Sequence, residues 1–177
     1  AGIEVRNGRV YVAVCPMQST TGGKTTPECR VTIGEYDAET LELVAMHKTE
    51  ICDRSGSLAI LEDGTFLVGC LRPQDIRSDQ VRLHHLDRDY RIIRTYVLDN
   101  VPVRLGIEVI KRQQEGILLN LYGEEFDCIR LNRDFREVWR GKLGGPCGLV
   151  LDGAHRWVGE TDMDETTKRW VSKLVRK

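Results

Sequence analysis

The stretch Gly2-Ile3-Glu4-Val5-Arg6-Asn7-Gly8-Arg9-Val10-Tyr11-Val12-Ala13-Val14 places two apolar runs on either side of Asn-Gly. Both central residues of a type I′ turn need positive φ, which asparagine and glycine tolerate best. This dipeptide between apolar runs therefore specifies a two-stranded hairpin. The opening tetrapeptide returns unchanged as Gly106-Ile107-Glu108-Val109, and related starts occur at Gly56-Ser57-Leu58-Ala59-Ile60 and Gly148-Leu149-Val150-Leu151. The four starting glycines lie 54, 50 and 42 residues apart. A period of that length marks a repeat architecture.

Each later start repeats the hairpin logic. Turns at Glu62-Asp63-Gly64, Gln114-Glu115-Gly116 and Asp152-Gly153 lead into Phe66–Cys70, Ile117–Leu121 and Trp157–Gly159. These strands are apolar at nearly every position, as expected where both faces are covered. Val12, Leu58, Val68, Leu119 and Val158 are the expected core. A second, more polar hairpin completes the first three units, with turns opening at Asp37, Asp87 and Asn132. An Asx side chain there bonds the backbone two residues on. Alternation on the outer strand places Ile92, Tyr96 and Leu98 inward and Arg91 and Arg94 outward.

Apolar inner strands, polar outer strands and about 40–55 residues per unit resemble the β-propeller, a ring of four-stranded blades. The resemblance covers nearly the whole chain and implies one all-β domain of about four antiparallel blades. The units are 2–55, 56–105, 106–147 and 148–177, and the last blade is incomplete. It is a likeness of architecture only, since no Trp-Asp, kelch or Asp-box motif is present. The alternative for the end of the chain is a C-terminal helix. Asp164 and Glu165 ahead of Lys173, Arg176 and Lys177 would match a helix dipole.

Charge and composition exclude several classes of function. With 26 basic and 27 acidic residues, the net charge of −1 gives no general attraction to nucleic acid or an anionic membrane. No apolar run approaches the ~20 residues of a membrane helix. The start of the sequence has neither the basic segment nor the apolar core of a secretory signal, so a cytoplasmic location is expected. Six cysteines without a Cys-x-x-Cys pair read as free thiols.

The propeller likeness implies that the loops between blades and those joining second to third strands open on one face. Candidate ligand-binding residues there are Cys15, Gln18, Asp53, Arg54, Arg72, Gln74, Asp75, Arg104 and Glu124. Asp162 and Asp164, in an acidic loop, together with Glu125 offer the oxygen ligands that calcium or magnesium would need. Gly22-Gly23-Lys24-Thr25 mimics the end of a phosphate loop, but Gln18 stands where its first glycine belongs. His84 and His85 are adjacent on a strand, so their rings point to opposite faces and cannot share a metal.

The expected function is a binding or interaction module for a small molecule or a protein. A metal-assisted hydrolase or lactonase is the alternative. Trp170, Val171, Leu174 and Val175 beside an unpaired strand edge predict a homodimer joined through the C-terminal unit.

Overall fold

The structure is a computed structural model that describes residues 2–14, 30–52, 54–71, 80–101, 107–113, 116–121, 128–142, 149–152, 155–164 and 169–176. The described residues form strands and turns and no helix. Sheet one has the order β1 (Gly2–Arg6), β2 (Arg9–Val14), β3 (Thr32–Asp37), β4 (Leu43–Lys48). Sheet two repeats it with β5 (Arg54–Ile60), β6 (Phe66–Leu71), β7 (Val81–Leu86) and β8 (Ile92–Leu98). Sheet three does so with β9 (Ile107–Gln113), β10 (Gly116–Leu121), β11 (Cys128–Asn132) and β12 (Glu137–Gly141). The fourth sheet has three strands, β13 (Leu149–Asp152), β14 (His155–Asp164) and β15 (Arg169–Arg176). All neighbours are antiparallel.

Local chemistry sets these elements as expected. Asn7 and Gly8 take φ of 50° and 72° in the first turn. In the outer turns the Asp37, Asp87 and Asn132 side chains accept bonds from the N–H groups of Glu39, Asp89 and Asp134 at 2.9–3.0 Å. The C-terminal segment corrects the helix alternative. Residues 169–176 pair with β14 from Trp157↔Arg176 to Asp164↔Arg169, as one strand of a long hairpin and not a helix.

The core lies in two layers between successive sheets. One joins Ala13 and Ile33 of sheet one to Leu58, Ile60, Phe66, Val68 and Leu86 of sheet two. The other joins Ala59, Leu67 and Leu83 to Ile110, Ile117, Leu119, Ile129 and Leu131 of sheet three. The inner strands approach closely. A Cβ on Gly2 would collide with the Leu58 backbone, and one on Gly69 would lie 2.8 Å from Ile107 Cβ. Arg94 is exposed, as expected, and its guanidinium lies 5.0 Å from the centre of the Tyr96 ring.

Candidate functional site

Cross-strand register sorts the side chains of sheet one onto two faces. The rows Gly2–Ala13–Ile33–His47 and Glu4–Tyr11–Glu35–Ala45 face sheet two. The rows Ile3–Val12–Gly34–Met46 and Val5–Val10–Tyr36–Leu43 lie on the opposite face. That second face is apolar and bare. Ile3 is 64% exposed and Val5 63%, and Val14, Leu43, Val44 and Met46 are also exposed. The Tyr36 ring and the Met46 sulfur fold over Gly34, which has no side chain to hold them off.

Sheet two shows what such a face does when covered. Its corresponding rows are Leu58–Val68–His84–Thr95 and Ile60–Phe66–Leu86–Ile92. Leu58, in the place of Ile3, is 3% exposed, and Ile60, in the place of Val5, is 2% exposed. The difference is the sheet seated on top. Val12, expected in the core, is accordingly only half-buried. The expectation that inner strands are covered on both faces fails for β1 and β2.

A polar seam locks sheets one and two together. Arg6, at the end of β1, donates to the carbonyls of Leu61 and, at 2.7 Å, of Glu62. Within sheet two, Arg88 donates through Nε to the Asp63 carbonyl at 2.9 Å. These guanidiniums border a cavity of about 280 Å³ that Tyr11, Ile60 and Phe66 also line. Behind it an aromatic stack runs from Tyr11 through Phe66 and Tyr90 to His47, the last two rings 3.8 Å apart. Glu35 forms ion pairs with Arg9 Nε and with His47 Nε2, each at 3.3 Å.

The electrostatics of the seam are quiet. Hydrogen bonds from the Thr65 hydroxyl and N–H hold the Asp63 carboxyl below its usual range. Burial, with Glu35 nearby, pushes the Tyr11 and Tyr90 hydroxyls up. Asp63 stays ionised and both tyrosines stay protonated at neutral pH, so none of the three is poised to move a proton there. Glu4, on the inner strand, has its carboxyl pushed up by burial, against the opposing pull of Arg112 and Lys111 on β9.

A second device recurs between sheets. Tyr90 takes φ of 64° in the outer turn of sheet two and stacks on His47 of sheet one. Phe135 takes φ of 60° in the outer turn of sheet three and stacks on Tyr96 of sheet two, centroids 4.6 Å apart. His47 and Tyr96 hold the same row position in their sheets. Each is a wedge reaching from one unit into the unit before it. In sheet one the corresponding residue is Leu41, at φ of 58° and 67% exposed.

Of the sequence candidates, Cys15, Gln18, Asp53, Arg72, Gln74, Asp75, Arg104, Glu124 and Glu125 lie outside the described residues. Arg54 opens β5, paired with Leu71. Asp162 and Asp164 sit in strand β14, across from Val171 and Arg169, and not in the acidic loop expected of them. No group of three or more metal-ligating side chains occurs among the described residues. The bare face, the arginine seam and the wedges were not anticipated. A detectable signal existed for the wedges: an apolar residue recurs near the end of each Asx turn, as Leu41, Tyr90 and Phe135. No protein-family model matches the chain, and no curated protein matches it in sequence.

Proposed function

We propose that the four sheets are blades of a propeller-like ring, and that the chain is a protein-interaction module working through the bare face of sheet one. The observation that carries this reading is that face itself: rows built like the buried rows of sheet two, yet open to solvent. Large contiguous apolar patches on soluble proteins mark interaction sites, because each Å² covered is worth about 25 cal/mol. The expected polar-loop surface gives way here to a sheet face. Val5→Glu with Met46→Glu tests it, since both side chains are exposed and the fold does not depend on them. The variant should lose self-association or partner binding and should lose binding of an apolar fluorescent dye. A variant matching the unaltered protein in both measurements would show that the face is not an interaction surface.

A further inference from the structure

We infer that the cavity at the seam of sheets one and two is a binding site for a small organic monocarboxylate with a flat apolar body. Tyr11 stands in the row of sheet one that faces sheet two, so the cavity is separate from the bare face.

Two arginines with donors to spare supply its charge. Arg6 donates through Nη1 to the Leu61 carbonyl and through Nη2 to the Glu62 carbonyl. Arg88 donates through Nε and Nη2 to the Asp63 carbonyl. All of these acceptors are neutral. Arg6 Nε and Arg88 Nη1 have no acceptor among the described residues, and neither guanidinium forms an ion pair there. The carbonyls thus hold both planar groups in place and leave their charge uncompensated. A guanidinium fixed beforehand loses little further freedom on binding, and its planar donors match a carboxylate. Nor is Arg6 needed to close its hairpin. In sheet two the residue after Ile60, in the place of Arg6, is Leu61, and its N–H bonds the Thr65 carbonyl without help from a guanidinium.

Beside the arginines lies an apolar wall. The Tyr11 and Phe66 rings meet edge to face at 5.6 Å, and Ile60 completes the lining. Phe66 and Ile60 belong to the buried core, which makes that wall rigid. Fixed polar groups against an apolar surface are the usual make-up of a small-molecule site, and about 280 Å³ limits the occupant to a single ring or a short chain. Glu62 and Asp63 also line the cavity and limit the ligand's charge. Asp63 Oδ1 is engaged by the Thr65 N–H and hydroxyl, and Glu62 is exposed. A phosphate dianion would be repelled by both carboxylates, whereas a single carboxylate reaches the arginines at less cost.

Benzoate titrated into the full chain, followed by backbone amide NMR, tests the site. It should shift the amides of Asn7, Tyr11, Gly64 and Arg88 and saturate with a Kd in the millimolar range or tighter. Acetate lacks the ring and benzamide lacks the charge, so each should bind about tenfold more weakly, and phenyl phosphate should also bind more weakly than benzoate. Arg88→Gln, at an exposed turn, should weaken benzoate binding about tenfold, and Glu62→Gln should tighten it. Arg94→Gln, outside the cavity, should leave it unchanged. Arg6→Gln should abolish binding; if it loosens the seam instead, the Arg88 and Glu62 variants decide the matter. Absence of saturable shifts with benzoate overturns the inference, and so does equal binding of benzamide or tighter binding of phenyl phosphate. Benzoate binding that is unaltered in both Arg88→Gln and Glu62→Gln overturns it as well.

Discussion

His85 shows how one residue ties local hydrogen bonding to the behaviour of the fold. Its Nε2 lies 2.8 Å from the Thr65 hydroxyl, which donates to Asp63 Oδ1 at 2.7 Å. With that hydroxyl proton committed to Asp63, the imidazole must donate, which assigns the Nε2–H tautomer. Burial pulls the His85 pKa below 6.5, with the Asp63 charge opposing. A lowered pKa means that the folded state disfavours the proton. The stabilisation is present above the unfolded value of 6.5 and is lost as pH falls through the folded value. Melting temperature should therefore drop between pH 7.5 and 5.5, and His85→Gln, which keeps a donor for Thr65, should flatten that drop. An unchanged pH profile in the variant would refute this role.

Among the elements, the outer turns do more than reverse the chain. Holding a bulky L-residue at positive φ costs on the order of 1 kcal/mol, so the wedge must return more than that through packing. Tyr90→Ala should cost ~2–4 kcal/mol in denaturant unfolding, through the lost stack on His47 and Phe66. Leu41→Ala should cost under ~0.5 kcal/mol, because Leu41 is 67% exposed. Equal costs would mean that the wedge is not what joins the sheets.

Much of this level was legible beforehand. Asn7-Gly8 and the Asx turns declare themselves because their backbone conformations need those residue types. The strand pattern was readable because alternation follows from the pleat. What could not be read was which faces meet. Ile3 and Leu58 look alike in sequence, and only the sheet stacked on Leu58 distinguishes them. Arg6 was equally opaque, since its partners are main-chain carbonyls 55 and 56 residues away. The C-terminal segment left a helix open as the alternative because its charges suit a helix end, while its partner strand lies only a few residues upstream.

For the molecule as a whole, stability is a chain of nearest-neighbour terms, each sheet supported by those beside it. Sheet two is packed on both faces and sheet one on a single face. Amide hydrogen exchange should therefore be slowest in β6 and β7, and faster in β3 and β4. Protection as strong in β3 and β4 as in β6 and β7 would argue that sheet one is covered after all.

The one-way reach of Tyr90 and Phe135 gives the stack a polarity, like nested cups that each grip the one beneath. Units two and three each carry the clasp for their predecessor. During synthesis a unit that has just emerged is therefore unfastened until the next one arrives. A cut between units leaves two unlike ends: a socket with nothing in it, and a clasp closing on water.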